Sequence, residues 1–395
     1  MRVITLHMVA RFLAAGLPLC ASAQGTARSQ DIDTSIRAAG MGGAGAAVGW
    51  GEPGIWGNPA TLGEVRGLWW QEGRTQLVPG LATDVIFKSR RFVLGGAGIG
   101  VSLMGDPFDG LGRTRLDYGT SEGTDPFGNP TGTFISFEQI EGWGVGISPL
   151  RLVDTWRALR GHAGPAWSRF GDASVGVQRK HTKVALAPAS AFGFAEADCV
   201  DWGVRGRISP QALLTPEAPV ELDVSAGYAV LNSNDAQFVF LPDDVSSPPS
   251  RIRRLGFAVR AAMPSPWRAQ RPTAPRAWWR AGPEHLFELG IASDTERISA
   301  GGTDPSFQVE RFGVELALLD VLVARKGHVT DRLGDINGDT QGYGIHVPVG
   351  PWGGFRYDHA TVPQAAGSGL PDVQRHGWSV WLDPVEIWRD AQPPR

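Results

Sequence analysis

Six residues near the N-terminus have the glycine spacing of a nucleotide-binding turn. The stretch from Gly40 to Gly45, GMGGAG, fits G-x-G-x-x-G, in which glycines let the backbone approach a pyrophosphate. That chemistry requires a buried strand before the turn and a helix after it. The preceding QDIDTSIRAA does not have the pattern of a strand, and Trp50, Gly51 and Pro53 interrupt any following helix. The spacing therefore does not predict a nucleotide site.

A second short motif has the form of an esterase nucleophile elbow. GTSEG, residues 119–123, fits G-x-S-x-G with Ser121 as the nucleophile. An elbow of this kind joins a buried strand to a helix. Ser121 is instead expected to lie in a long polar loop, so we interpret the match as a coincidence.

A third stretch carries oxygen ligands at the spacing of a calcium loop. In DRLGDINGDT, residues 331–340, Asp335, Asn337 and Asp339 occupy the first three alternating ligand positions. Thr340 stands where the loop needs glycine, and His346 where it needs the bidentate glutamate. These departures exclude an EF-hand. A looser calcium site and a polar hairpin turn remain open, and we favour the turn.

The other reactive side chains do not form a catalytic pattern. The sequence has no HExxH, Walker, zinc-type or paired-carboxylate signature, and its eight histidines are scattered. Cys199 lies in ADCVDWGVRG between acidic residues, which disfavour a thiolate, and we interpret it as a small strand residue. We therefore predict a protein that is not an enzyme and that uses neither a cofactor nor a metal.

Apolar and polar residues alternate along the chain from about residue 64 onward. In VELDVSAGYAV, residues 220–230, the apolar side chains share one face, and Glu221 and Asp223 lie on the other. The stretches RRLGFAVRAAM, VERFGVELAL and CVDWGVRGRI alternate in the same way. Such a period of two predicts strands with one apolar and one polar face.

Two kinds of all-β protein contain strands of this type. A soluble sandwich buries the apolar face, whereas a membrane barrel turns it to lipid. We count about fourteen strands, and several reach the length that a tilted membrane strand needs. Their polar faces combine small residues with charges of both signs. We therefore predict a transmembrane antiparallel β-barrel, with a secreted soluble all-β binding or structural protein as the alternative.

One stretch has the pattern of a helix. In SPLRLVDTWRALRG, residues 148–161, Ser148 can cap the start, Gly161 suits the end, and the apolar residues at 152, 153, 156 and 159 share a face. We expect this helix to pack on the barrel rim rather than to lie in the membrane interface. Residues 105–132 and 264–283 are rich in Pro and Gly and are predicted to be long loops. Long loops of such barrels belong on the outer side, but the sequence alone does not assign the sides.

The N-terminus has the features of a secretory signal. Basic residues precede an apolar run from Phe12 to Leu19, and Ala21-Ser22-Ala23 has the small-x-small form of a cleavage site. We predict a signal peptide over 1–23, an N-terminal hatch segment over 24–63, an outer-membrane barrel over 64–388 and a tail over 389–395. The net charge of −3 does not favour nucleic acid as a partner.

Both ends of the predicted mature chain resemble the PorV/PorQ family within the FadL-like group of outer-membrane barrels. The Gly- and Ala-rich RAAGMGGAGAAVGWGEPGIWGNPATL is similar to that group's N-terminal signature, and GYGIHVPVGPWGGFRYDHATVP to its penultimate hairpin. The residues that match the signature are Arg37, Gly40, Met41, Gly42, Gly43, Ala44, Asn58, Pro59 and Ala60. Barrels of this kind often end on an aromatic residue, whereas here a tail follows Trp388.

The resemblance implies a fourteen-stranded barrel whose N-terminal segment folds inward as a hatch. It also implies transport across the outer membrane of a Gram-negative-type bacterium, either as FadL-like passage of hydrophobic molecules or as part of type IX secretion. The implied partners are outer-membrane lipid and either hydrophobic small molecules or secretion-system proteins. In this setting the glycines and alanines serve close packing, not phosphate binding.

Charged residues on the polar faces of the strands are predicted to face the barrel lumen, because a charge facing lipid at mid-depth costs about 2–4 kcal/mol for Arg. These residues are Asp201, Arg205, Glu221, Asp223, Arg254, Arg260, Arg311, Glu315, Arg356 and Asp358.

Overall fold

The computed structural model describes residues 27–105, 114–124, 127, 129–162, 165–186, 195–214, 219–240, 248–266, 285–300, 307–332, 334–349 and 352–384. Over these residues the chain is all-β and forms a closed, transmembrane antiparallel barrel with fourteen strand positions. The predicted signal peptide, most of the 264–283 loop, Trp388 and the C-terminal tail lie outside the described residues.

The wall is built from strands that pair with their neighbours in sequence, and β1 also pairs with β15, which closes the barrel. Within the described ranges the strands are β1 (Gly67–Gln76), β2 (Val85–Gly96), β3 (Ile99–Met104), β4 (Thr114–Thr124), β5 (Pro130–Ile147), β6 (Gly171–Ala185), β7 (Ala195–Ile208), β8 (Glu221–Leu231), β9 (Ser250–Pro264), β10 (His285–Ala300), β11 (Phe307–Leu318), β12 (Leu322–Asp331), β13 (Ile336–Val349), β14 (Gly353–Val362) and β15 (Val373–Leu382).

β3 and β4 share one position in the wall. Both pair with β2 on one side and with β5 on the other, and they run in the same direction. On β5, Met104 of β3 pairs with Gly142 and Thr114 of β4 pairs with Ile140, so β4 continues the line of β3 along β5. The fifteen strands described therefore make a fourteen-stranded barrel.

The outer face of the barrel carries an apolar belt. We call the end where β1 begins and β15 ends the near rim, and the opposite end the far rim. In the half next to the near rim, outward side chains are large, apolar and exposed, as lipid contact requires. They include Leu103, Trp143, Val177, Trp202, Val204, Phe257, Val259, Leu289, Ile291, Leu316, Ile345 and Val380. This belt is the opposite of what a soluble sandwich presents to water.

Short helices lie inside the barrel and at its near rim. They are η1 (Arg28–Gln30), α1 (Ile36–Gly40), η2 (Pro59–Glu64), α2 (Pro149–Leu159), η3 (Trp167–Arg169) and α3 (Pro210–Leu214). Among the described residues, none of the helices is long and apolar enough to cross a membrane. The predicted helix is α2, which Ser148 caps by accepting a hydrogen bond from Arg151 N at 3.4 Å.

One local expectation is wrong. Much of residues 105–132 is strand rather than loop, because β4 and the start of β5 lie there, and Ser121 is therefore a strand residue. The sequence composition marked this stretch as irregular but did not reveal its pairing.

The acidic stretch 331–340 forms the β12–β13 connection and the start of β13. Asp331 Oδ1 accepts a hydrogen bond from Gly334 N at 3.0 Å, and Asp335 has a positive φ of 50°. Asn337 and Asp339 then point outward and contact His328 at 3.0 and 2.9 Å. This arrangement is the hairpin turn that the sequence favoured.

Candidate functional site: the N-terminal segment inside the barrel

Residues 27–66, which we call the N-terminal segment, run through the barrel interior. Most of them are buried, including the polar residues Ser29, Gln30 and Asn58. The segment contacts the inner face around most of the wall, from Gln71 on β1 to Arg375 on β15. It therefore extends through the lumen from Gly63, beside Ile147 at the near rim, to Ala27, which packs with Val184 and Phe238.

A glycine turn follows α1 and brings the segment against the wall. Ser35 Oγ caps α1 by accepting a hydrogen bond from Ala38 N at 3.1 Å, and Gly43 N closes the helix by donating to Ala38 O at 2.7 Å. Gly42 and Gly43 have φ of 69° and 84°, a region that favours glycine. Gly42 N then donates to Thr340 Oγ1 of β13 at 2.8 Å. The motif that matched a nucleotide fingerprint thus shapes a backbone contact with the wall.

The Asn-Pro-Ala motif fixes a second contact. Asn58 has an extended backbone before Pro59, which begins η2, and its Oδ1 accepts from Ala60 N at 3.0 Å. Its Nδ2 donates to Ala46 O at 2.8 Å and to Val204 O on β7 at 3.1 Å. One buried side chain therefore joins η2, the glycine-rich stretch and the wall.

A carboxylate of the wall holds the glycine-rich stretch from the other side. Asp294 Oδ2 on β10 accepts hydrogen bonds from two consecutive amides, Gly45 N and Ala46 N, both at 2.8 Å. Asp294 is buried, so these hydrogen bonds form away from water.

A chain of buried ion pairs connects the N-terminal signature with the C-terminal hairpin. Arg37 of α1 lies 2.6 Å from Glu315 of β11, Glu315 lies 2.6 Å from Arg325 of β12, and Arg325 lies 2.6 Å from Asp358 of β14. The guanidinium of the neighbouring Arg356 lies 5.1 Å from the ring centroid of Trp69. The two stretches that carry the family resemblance therefore meet in one network.

Other predicted lumen residues hold the segment in similar ways. Arg205 donates to Ala47 O at 2.8 Å and pairs with Glu64. Arg311 donates to Gly42 O at 3.1 Å, and Arg254 pairs with Asp33 at 3.6 Å. Both Arg311 and Arg254 also pair with Glu296 of β10, and Asp201 pairs with Lys180 at 2.9 Å.

Three of the predicted lumen residues belong to a separate cluster near the near rim. Arg260 lies 2.6 Å from Glu288, 3.4 Å from Asp223 and 3.6 Å from Glu221. Asp223 also pairs with Arg207 at 2.8 Å. This cluster faces inward on β8, β9 and β10, and its members are only partly buried.

Glycines of the wall make room for the backbone of the segment. An added Cβ at Gly176, Gly227 or Gly313 would overlap backbone oxygens of Pro59, Ala46 or Met41. Neighbouring strands place such glycines in register; for example, Gly146 pairs with Gly176, Gly176 with Gly203, and Gly227 with Gly256. Many of the chain's glycines therefore lie in a ring on the inner face of the wall, where the wall contacts the segment.

Little space remains between the segment and the wall at β1, β2 and β15. A cavity of about 20 Å³ lies there, lined by Thr34, Glu52, Gln71, Arg91 and Trp378 among others. This volume has room for a single water-sized molecule.

Sequence reasoning missed several wall residues that hold the segment. Asp294, Glu296, Arg325 and Thr340 all lie on inward faces, and each contacts the segment or its ion-pair partners. The alternation in FELGIASDTERI, residues 287–298, places Asp294 and Glu296 on one face and could have revealed them.

Toward the far rim, the polarity of the wall reverses. Outward side chains there are charged or polar, as at Arg179, Asp198, Arg253, Glu310, His328 and Asp339. Inward side chains are buried and apolar, as at Phe87, Leu116, Val184, Leu231, Ile252, Val309 and Val329. The outer face of the far half is thus polar, and its inner face carries apolar side chains beside buried polar ones such as Glu138, Thr182 and Glu296.

The β8–β9 connection covers part of this apolar lining. Phe238 is 0% exposed and packs with Val184, Ala195 and Ala197, whereas the next residue, Val239, is 46% exposed. Asn234 holds the connection to β7 by donating to Asp198 O at 2.7 Å.

Asp31 is an acidic group of the segment beneath this lining. Its Oδ2 accepts a hydrogen bond from Ser250 Oγ at 3.3 Å and lies 3.4 Å from Arg28. Burial raises the pKa of Asp31 to about 6, although Arg28 and Lys180 favour its charged form.

We expect the pH dependence of stability to change in the Asp31→Asn variant. The pKa in the folded state lies above the ordinary aspartate value of 3.8, so the proton stabilises the fold below about pH 4, and this contribution is lost as the pH rises through about 6. The stability of the Asn variant relative to the unmodified protein should therefore increase with pH over this window, by up to about 3 kcal/mol.

Denaturant unfolding at several pH values, followed by gel mobility of the unheated protein, measures this difference. Asp235→Asn is the control, because the Asp235 side chain is 85% exposed. A pH-independent difference between the Asp31 variant and the unmodified protein would show that the carboxyl is ionised in the fold.

Solved structures of outer-membrane proteins are similar to the chain at low identity. The Pseudomonas putida toluene transporter TodX matches at 13% identity over 88% of this chain and 96% of that chain, with a TM-score of 0.40. A Pseudomonas aeruginosa FadL homologue matches at 11% identity over 89% and 98%, with a TM-score of 0.38. The Ralstonia pickettii toluene transporter TbuX matches at 12% identity over 87% and 95%, with a TM-score of 0.36. No family model and no curated protein matches the chain.

Proposed function

We propose that the protein is a non-enzymatic transport barrel of the outer membrane of a Gram-negative-type bacterium, and that it admits small hydrophobic molecules at the far rim. The observation that carries this proposal is the reversed polarity of the far half of the wall. A wall that is polar outside stands in water, and the apolar side chains on its inner face suit a ligand that leaves water.

The N-terminal segment would act as the hatch below this interior. Its ion pairs and backbone hydrogen bonds hold it across the lumen, and the cavity beside it has room for a single water-sized molecule. A molecule held in the far half therefore has no straight path through the conformation described. Passage would require the segment or the wall to rearrange.

In the absence of a ligand, the Phe238 side chain would fill the site in the apolar lining where a hydrophobic molecule binds. It is an aromatic side chain from a surface connection, buried in the apolar lining, so a ligand of similar polarity can replace it. We expect Phe238→Ala to raise the rate at which cells take up a naphthylamine dye that fluoresces in apolar surroundings. Val239→Ala is the control, since that neighbour points away from the lining.

Purified protein in detergent-free nanodiscs gives the direct measurement of dye binding. Saturable binding that increases in Phe238→Ala and is unchanged in Val239→Ala supports the proposal. Dye binding equal to that of empty nanodiscs, in all three proteins, would refute it.

Assistance to protein export by type IX secretion is the second candidate function. It rests on the PorV/PorQ-like form of the signature, whose Arg37 joins the C-terminal hairpin through Glu315 and Arg325. A deletion strain with defective secretion and normal dye uptake would favour export. The reverse pair of phenotypes would favour passage of hydrophobic molecules.

A further inference from the structure

α2 is an amphipathic helix that binds the barrel through its polar face. Arg151 Nε donates to Asp172 Oδ2 at 2.5 Å, and Arg151 Nη1 donates to Glu64 O at 2.8 Å. Asp154 accepts hydrogen bonds from Trp167 N and Ser168 N at 2.8 and 2.7 Å. The polar side chains are therefore the ones that position the helix at the near rim.

The apolar face of α2 is left exposed. Val153, Trp156 and Leu159 are 37%, 52% and 83% exposed, and no residue of the helix is buried. A helix that packed on the rim to hide apolar surface would have the opposite orientation. The sequence therefore predicted a helix at the rim but did not show that its polar face makes the contact.

This exposed face continues the lipid-facing belt. α2 follows directly after β5, whose last residue Ile147 faces outward, and Ile147 pairs with the outward Val175 of β6. Both side chains belong to the exposed apolar surface at the near-rim end of the wall. Between Ile147 and the first residue of the helix the chain has only Ser148, which is buried, so the exposed surfaces of strand and helix are both apolar at this junction.

Arginines accompany the exposed tryptophans. The Arg160 guanidinium lies 4.6 Å from the ring centroid of Trp156, and that of Arg157 lies 4.7 Å from the ring centroid of Trp167. Tryptophan and arginine together suit the level of lipid headgroups, where rings meet the acyl boundary and guanidinium groups meet phosphates.

We propose that α2 and Trp167 form a membrane-interface anchor that lies in the headgroup region of the leaflet at the near rim, with Val153, Trp156 and Leu159 directed into lipid. The occupant of this face is phospholipid. The anchor would fix the depth and tilt of the barrel next to β5 and β6, the strands that flank the helix in the chain. The proposal is independent of the transported molecule.

Lipid quenching at single labelled positions tests the anchor. In the full chain with Cys20→Ala and Cys199→Ala, an environment-sensitive fluorophore is attached at Leu159→Cys or at Ala158→Cys, and the protein is placed in bilayers of phosphatidylethanolamine and phosphatidylglycerol. Ala158 is the matched control, because it is exposed on the opposite face of the same turn. Lipids brominated near the headgroup should quench the probe at 159 severalfold more than the probe at 158, and aqueous iodide should show the reverse order.

Iodide quenching at 159 equal to that at 158 would overturn the proposal, because the face would then be in water. Protection of 159 from both quenchers, with energy transfer between differently labelled copies, would assign the face to a second copy of the chain and would also overturn it. Gel mobility of the unheated protein confirms that both labelled variants fold.

Discussion

Glu315→Ala is expected to release the N-terminal segment and to cause the largest loss of stability among the variants considered. Glu315 lies between Arg37 and Arg325 and is almost fully buried, so its removal leaves two buried guanidinium groups without that carboxylate. Breaking a buried pair in this way costs about 3–5 kcal/mol. Because Arg37 belongs to α1, the effect should appear as movement of the segment and not only as a weaker wall.

Single-channel conductance in planar bilayers and sensitivity of cells to large antibiotics measure this movement. The unmodified protein should conduct little, and Glu315→Ala should show larger or more frequent openings. Glu315→Gln keeps the volume but not the charge and should also open the barrel. Glu310→Ala is the control on the same strand, because that side chain points outward and is exposed. Normal conductance in both Glu315 variants would mean that the ion-pair network does not hold the segment.

Gly227→Ala is expected to displace the segment through a single methyl group. The added Cβ would overlap Ala46 O, a backbone atom in the stretch that Asp294 and Asn58 also hold. Overpacking of this kind costs about 1–3 kcal/mol, and here the strain falls on the contact between segment and wall. Conductance should therefore rise even if the barrel itself inserts and folds normally.

Gly206→Ala provides a matched comparison. Gly206 lies on β7 opposite Ala226, next to Gly227 in the ladder, but it faces outward, and an added Cβ there meets no atom within 4 Å. The same substitution should thus be silent on one face of the wall and disruptive on the other. Equal conductance of the two variants would show that the glycine ring does not set the approach of the segment.

The sequence determined the all-β class and the approximate strand count. A period of two is a local property, because successive side chains of a strand point to opposite faces. The same alternation placed charges such as Arg205 and Glu315 on the faces that the structure directs inward. Ser148 and Gly161 marked the ends of α2 by equally local signals.

The partners of the inward charges could not be read from the sequence. Arg37 and Glu315 are separated by 278 positions, and any of several inward carboxylates could have accepted Arg37 on local grounds. Arg37 meets Glu315 because the barrel closes and the N-terminal segment follows this path through it. The shared position of β3 and β4 also depends on pairing with β2 and β5, which no single strand specifies.

The reversal of wall polarity left a signal in the sequence that alternation alone did not explain. Adjacent basic residues at Arg179-Lys180, Arg253-Arg254 and Arg325-Lys326 each put one charge outward and one inward. At these doublets the outward face changes from apolar to polar. A local pattern can show that the phase of alternation changes. Only the assembled barrel shows that the changes lie in neighbouring strands on the far-rim side of the lipid belt. The sequence does not specify which strands are neighbours or how far each strand is shifted along the wall.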